Sequence, residues 1–321
     1  MAKKIKIAFD PGNRLTTAFD GKKVVNFRST LGFIYGDNAD PELDENSKFV
    51  KIIKSEPSPD LNGKQFLLGT AAMYQQRYKK VFELDKMYYA LYLLLPCIAS
   101  LTDGDDVEVE LIVNVTDPRR DEPRLIERLR GATEFDVDER NIMVKIPTIR
   151  AVNEGLGPWK IAEKKGEIMP DSLTGIINLG GSTADGLLVR SDGRVLEDAR
   201  FNDEKGGTYA LAIDIRKRLR EMGRAAADLE LDLIMDALET RSDYVGVDVY
   251  IGDLIEEAID DWFTTLQSRI KSYWQPYFRR ISKIYATGGS SKLIEDKVKR
   301  ANRWEMTPDP ILDNVKGIYL L

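Results

Sequence analysis

The chain has 321 residues, enough for two domains of ordinary size and a substantial core. Apolar residues make up 43% and charged residues 31%, which excludes a disordered polymer, and the net charge of −6 argues against direct contact with nucleic-acid phosphate or an anionic membrane. A single cysteine and no histidine exclude an internal disulfide, a cysteine zinc cluster and the Ser-His-Asp and Cys-His mechanisms, which leaves carboxylates, amides, hydroxyls and metal-bound water as the available chemistry.

Residues 5–9, 15–19 and 24–27 read as strands, separated by Asp10-Pro11-Gly12-Asn13 and Asp20-Gly21-Lys22. Asp-Gly between β-rich runs is a hairpin signal, so the spacing predicts a three-stranded meander. No apolar leader precedes the first strand, and the longest apolar run, residues 87–99, is too short to span a bilayer. The expected location is cytoplasmic. Residues 37–60 are polar, acidic and Pro-containing, and predict a peripheral loop or small insertion. A strand at 65–68 leads through Gly69 into helical sequence at 70–78, and 84–95 predicts an apolar helix that Pro96 ends or kinks. Cys97 then reads as a buried thiol. Residues 107–115 predict a strand entering the core, 123–129 an amphipathic helix with Pro in its first turn, and 141–149 another strand. The arginines 119, 120, 124, 128 and 130 read as a solvated helix face.

After a helix start at 153–158, a second unit opens as the first did. Strands at 175–179, 184–190 and 195–201 are punctuated by Gly180-Gly181-Ser182 and by Ser191-Asp192-Gly193-Arg194, which suggests an architectural duplication. Helices are expected at 209–222, 225–238 and 253–275, the last with Ile255, Ala258, Trp262, Leu266 and Ile270 at helical spacing until Pro276. The aromatic cluster Tyr273, Trp274, Tyr277 and Phe278 is expected in the core. A last strand at 284–286 runs into Thr287-Gly288-Gly289-Ser290 and a helix at 292–300.

Three glycine-bearing turns therefore follow apolar strands, each setting backbone N–H groups beyond a strand end where glycine lets an anion approach. None is the single-loop phosphate signature or the dinucleotide Gly-x-Gly-x-x-Gly. Each alone is also an ordinary tight turn, and Asp10 alone is also a turn-initiating residue.

The ordered set resembles the actin, sugar-kinase and heat-shock superfamily, and within it the ParM-type bacterial and archaeal actins. Residues 177–185, Ile-Asn-Leu-Gly-Gly-Ser-Thr-Ala-Asp, are similar to that family's Ile-Asp-Leu-Gly-Gly-Thr-Thr-x-Asp. Residues 287–294 resemble its Gly-Gly-Gly-x-x-Leu-Ile turn with Ser290 for the third glycine, and Asn314-Val315-Lys316-Gly317 its C-terminal Asn-x-x-Gly. The resemblance implies an α/β, actin-like (ribonuclease H-like) two-domain fold with the nucleotide in the interdomain cleft. Domain I would span 1–152, with an insertion subdomain at about 30–83 and residues 311–321 returning to it; domain II would span 153–310.

It also implies roles. Asp10 would orient Mg2+ through water, with Gly12 and Asn13 near the β- and γ-phosphates of ATP or GTP. Gly180, Gly181, Ser182 and Thr183 would form the facing cradle, Gly206 and Gly207 a turn near the ribose, and Gly288, Gly289 and Ser290 the turn beneath the purine. Glu154 would position the attacking water, or is simply an acid in the first turn of a helix. Asn178 stands where the family has Asp, which implies retained nucleotide binding with slow hydrolysis. The implied function is an ATP-binding, filament-forming cytoskeletal protein, a slow ATPase that moves plasmid DNA through a DNA-binding adaptor. The alternatives are a non-polymerising ATPase or small-molecule kinase of the superfamily, or a nucleotide-dependent scaffold with weak hydrolysis.

Overall fold

The computed structural model describes residues 2–35, 43–75, 78–81, 84–204, 206–223 and 229–321. The chain divides into two units, Met1–Gly157 with Val315–Leu321, and Pro158–Asn314. The first break falls five residues beyond the expected one, because the strand that carries residues 140–149 continues to Asn153 within the first sheet.

Ten strands form the sheet of the first unit: β1 (Lys3–Pro11), β2 (Leu15–Phe19), β3 (Val24–Arg28), β4 (Thr30–Ile34), β5 (Ser47–Ser55), β6 (Gln65–Gly69), β7 (Tyr78–Lys80), β8 (Asp106–Val115), β9 (Gly131–Val137) and β10 (Arg140–Asn153). Their order is β3-β2-β1-β8-β10-β9-β5-β6-β4-β7. The meander forms with Ala8 opposite Phe19 and Leu15 opposite Arg28. β8 lies parallel between β1 and β10, and its residues Leu111 to Val115 are buried on both faces, which is why its alternation gives way to a continuous apolar run.

Residues 30–83 do not form a separate insertion body among the described residues. β5 pairs with β9, Val50 opposite Val137, so β4 to β7 prolong the main sheet. Val50, Ile52, Phe66 and Leu68 share one core with Ile7 and Phe9. The polar, acidic and Pro-containing composition of 37–60 suggests a loop, yet Lys51 and Lys54 occupy exposed positions of a strand that buries Val50 and Ile52. Residues 37–42 of the expected loop lie outside the described residues.

Helix α1 (Ala90–Leu101) is buried on nearly every face and runs through Pro96 instead of ending there. An interior proline costs a helix about 3 kcal/mol. Leu91, Leu93, Leu94, Leu95 and Ile98 are fully withdrawn from water, and each such side chain contributes about 1.5–3 kcal/mol, so burial outweighs the lost hydrogen bond. Cys97 is buried in this helix and its thiol is pushed far up by desolvation. Helix α2 (Pro118–Leu129) starts earlier than expected, with Pro118 in its first turn and the Asp117 carboxylate accepting from the N–H groups of Arg119 and Arg120. Its Arg120, Arg124 and Arg128 pair with Asp121, Asp85 and Asp60.

In the second unit the sheet order is β13-β12-β11-β16-β17, built from β11 (Leu173–Leu179), β12 (Ala184–Arg190), β13 (Phe201–Asp203), β16 (Ile281–Thr287) and β17 (Trp304–Met306). The strand expected over 195–201 forms only at its end; Val195 makes an isolated bridge to Val189. A small hairpin, β14 (Tyr244–Val245) with β15 (Val249–Tyr250), stands apart from this sheet. The helices are α3 (Leu156–Lys164), which carries the chain out of the first unit, α4 (Thr208–Glu221), α5 (Leu231–Thr240), α6 (Gly252–Trp274), α7 (Glu295–Arg300) and α8 (Asp313–Ile318), which carries it back. Residues 225–228 of the helix expected over 225–238 lie outside the described residues. Ala258, Trp262, Leu266 and Ile270 of α6 face the core, as their spacing requires. Trp274 is fully buried and donates to the Ala199 carbonyl, whereas Tyr273 and Phe278 remain on the surface.

Both units thus place a hairpin beside a parallel strand, β2-β1-β8 in one and β12-β11-β16 in the other. In the first unit, the returning segment Val315–Leu321 packs Val315 and Ile318 on Ala8, Ile112 and Val152. Gly317 lies so close to Gly157 that a Cβ would collide with that residue's backbone. Gly317→Ala is therefore expected to lower stability by about 2 kcal/mol or more, read as a lower urea midpoint at unchanged slope.

Candidate functional site

The first hairpin turn is braced from below. The Ser29 hydroxyl donates to the Gly12 carbonyl at 2.6 Å and lies 2.9 Å from the Thr16 hydroxyl, while Ser29 N–H donates to the Arg14 carbonyl. A Cβ on Gly12 would collide with the Leu15 carbonyl, so the tightness of the turn requires glycine. Gly12 and Asn13 are half-buried.

Asp10 precedes this turn, near the end of β1. Its Oδ1 is shut off from solvent and has no hydrogen-bond partner. Burial, and then the nearby Glu154 carboxylate, push its pKa up to about 7; Lys86 and the Asn114 amide pull the other way. Glu154 sits between β10 and α3, where its N–H donates to the Val115 carbonyl and its Oε2 accepts from the Thr116 hydroxyl at 3.2 Å. It is not in a first helical turn, because Gly155, at φ 93°, redirects the chain before α3 begins. The structure brings Asp10 and Glu154 together. It adds two residues that sequence reasoning missed: Asn114, fully buried with both amide atoms unpartnered, and Asn153, whose buried Oδ1 is unpartnered. The signal for Asn114 was a lone amide inside the apolar run 111–115.

The second turn is held by its carbonyls. Gly207 N–H donates to the Ser182 carbonyl (3.0 Å), Thr208 N–H to Gly180 (3.3 Å) and Tyr209 N–H to Gly181 (2.8 Å); the Ser290 hydroxyl also donates to Gly180 (2.8 Å). In a trans peptide the N–H of the next residue points opposite to the carbonyl. The N–H groups of Gly181, Ser182 and Thr183 therefore face away from α4, as successive donors do in an anion-binding nest. The Ser182 hydroxyl is buried and unpartnered.

Gly207 backs this turn, and Gly206, just before Gly207, lies against Asp203. A Cβ on Gly207 would strike the Gly180 carbonyl, and the Gly206 carbonyl accepts from Trp262 Nε1 at 2.9 Å. In the third turn, Gly288 has φ 87° and lies against the Leu179 carbonyl, while Ser290 is buried and touches Thr208. Gly289 is exposed, with open space where a Cβ would be.

Asn178 lies below this arrangement, near the end of β11, and is 4% exposed. Its Oδ1 accepts from Asn314 Nδ2 at 3.2 Å and would be 2.7 Å from a Cβ on Gly288. Directly across the hairpin stands Asp185, also 4% exposed, which accepts from Thr183 Oγ1 and Asn202 Nδ2. An aspartate at 178 would oppose this carboxylate, and like charges directly opposite are destabilising.

The raised pKa of Asp10 sets a pH dependence. Between pH 4 and about 7 the folded chain holds a proton at Asp10 that the unfolded chain has released, so this group's contribution to stability falls as pH rises through that window. Asp10→Asn is expected to flatten the loss and to raise the melting temperature at pH 8 but not at pH 4, as measured by thermal denaturation without ligand.

No protein-family model matches the sequence, and no curated protein matches it. Solved structures do. A 15-stranded ParM filament from Clostridium botulinum aligns with a TM-score of 0.82 at 17% identity, over 100% of this chain and 99% of that one. An archaeal actin homologue aligns with a TM-score of 0.80 at 14% identity, and its complex with ADP at 0.76 and 14%, each over 98% of both chains. Bacillus thuringiensis ParM with ATP aligns at 0.69 and 16% identity, over 99% of this chain and 98% of that one. The chain has the two-domain α/β actin-like fold shared by ParM proteins and the archaeal actin homologue.

Proposed function

We propose that the chain is an actin-like ATPase that binds ATP, or GTP, with Mg2+ and assembles with its own copies into a nucleotide-dependent filament. The observation that carries the reading is the second turn, where three carbonyls are tied back to α4 and Ser290 and the opposing N–H groups stand with an unpartnered Ser182 hydroxyl. A triphosphate would engage these groups, and the purine would lie on the open side of Gly289; in the first unit, Gly12 and Asn13 are the residues we assign to phosphate contact. The similar structures support it by what they hold: one is a filament, one contains ADP and one ATP.

Asp10 fits a divalent cation, because its buried, unpartnered oxygen lies beside a second carboxylate. Mg2+ would reach Asp10 through water and take its other ligands from phosphate. Bound there, the ion would neutralise charge on the transferred phosphoryl group. Glu154, oriented by Thr116, would align the attacking water.

The reading extends to plasmid DNA segregation in the cytoplasm through a DNA-binding adaptor, since a chain of net charge −6 is poorly suited to hold DNA itself. No helix among the described residues is long and apolar enough to cross a membrane. A second reading, a nucleotide-dependent scaffold with weak hydrolysis, is favoured by the Asn178 amide opposite Asp185.

Light scattering and negative-stain microscopy with ATP-Mg, ADP-Mg and a non-hydrolysable analogue test assembly. Filaments that form with ATP and disappear as it is consumed are expected; no filaments under any nucleotide would refute assembly, and filaments that outlast the nucleotide would favour the scaffold. Gly289→Val is expected to leave the melting temperature unchanged and to weaken nucleotide binding at least tenfold by calorimetry. Asn178→Asp is expected to speed phosphate release while costing about 1 kcal/mol of stability at pH 8. Equal or slower release would remove the amide as the brake.

A further inference from the structure

Asn114 stands on the central strand of the first unit, between the strand that carries Asp10 and the one that leads to Glu154. The registers settle its face. Ala8 pairs with Ile112 across β1 and β8, Asn114 pairs with Val152 across β8 and β10, and Ala8, Ile112 and Val152 form one apolar cluster. Two residues further along each strand direction, Asp10, Asn114 and Glu154 lie on that same face, with Asp10 level with Asn114 and Glu154 one step beyond, level with Thr116. Thr116, next on this face, already donates to Glu154.

Asn114 is 0% exposed, neither its Nδ2 nor its Oδ1 meets hydrogen-bond geometry with a partner, and its amide lies close enough to Asp10 to favour the charged carboxylate. Its neighbours along β8 are Ile112, Val113 and Val115, so an apolar side chain would suit the site better if packing alone decided. A buried amide with both ends unspent, beside a carboxylate with an unspent oxygen, is what a polar ligand completes. We propose that Asn114 is a positioning residue for phosphoanhydride hydrolysis: in the loaded protein its Nδ2 donates to the Asp10 carboxylate and its Oδ1 accepts from the water that Glu154 aligns. This role rests on the nucleotide-hydrolysis reading above. The water attacks the terminal phosphorus, the bond to the bridging oxygen breaks, and the proton leaves with inorganic phosphate, so the amide transfers nothing and acts by orientation.

Asn114→Leu and Asn114→Ser separate this role from a structural one. Without ligand, Asn114→Leu is expected to raise the melting temperature by about 2–4 °C, because it removes two buried polar groups while keeping the same branching and number of side-chain heavy atoms. In the same protein, kcat for phosphate release is expected to fall 10–100-fold with KM for ATP-Mg changed less than threefold. Asn114→Ser, which keeps a donor and an acceptor, should recover part of kcat. A lower melting temperature or loss of folding in Asn114→Leu would make the amide structural and overturn the proposal, as would unchanged kcat in Asn114→Leu or no recovery in Asn114→Ser. If wild-type protein shows neither a nucleotide-induced melting shift nor phosphate release, the nucleotide reading itself fails and this role falls with it, whichever way the ligand-free melting temperature moves.

Discussion

The carbonyls of Gly180, Gly181 and Ser182 are committed to the start of α4 and to Ser290, and much of the second unit is arranged around that commitment. It requires a residue without a side chain at 207, because α4 begins against the turn itself. It draws Ser290 onto Gly180 and so fastens the third turn to the second. It also explains Gly288, which must take a left-handed conformation to pass the Leu179 carbonyl. Glycines 207 and 288 are thus demanded by backbone contact. Gly289 is not, since nothing in the protein occupies the space its side chain would fill.

The two hairpins solve one electrostatic problem differently. In the first unit, Asp10 and Glu154 are both acids, and their repulsion together with burial holds a proton on Asp10 near neutrality. In the second unit, an acid faces an amide across the hairpin, and Asp185 is satisfied by Thr183 and Asn202. The first unit therefore carries an electrostatic cost that Lys86 and Asn114 only partly offset and a cation would remove, whereas in the second the side chains themselves remove it.

Much of the strand framework was legible in the sequence because apolar runs bounded by Asp-Gly, Gly-Gly and Asp-Pro-Gly leave few alternatives for a chain that must bury one face. β5 was not, since its lysines alternate with residues such as Val50 and Ile52 whose burial depends on pairing with β9, far along the chain. Of the two outcomes open at Pro96, an end or a kink, the end does not occur, because α1 is deeply buried, which local propensity takes no account of. Of the site, the turns were visible as glycine patterns, but their division of labour was not. Gly207 acts through contacts with Gly180, Gly181 and Ser182, residues far from it in the chain. Asn178 meets Asp185 only once the register is set, and Asn114 reveals itself by lacking partners, a property no spacing encodes.

The return of Val315–Leu321 to the first unit bears on how the chain is made. Val315 and Ile318 complete the apolar cluster on Ala8, Ile112 and Val152, yet they leave the ribosome after all of Pro158–Asn314. The second unit is contiguous and can close as soon as it emerges, while the first, although synthesised earlier, waits with Ala8, Ile112 and Val152 uncovered. Translation order and completion order are therefore reversed, and the nascent first unit is the one that presents sticky surface to chaperones.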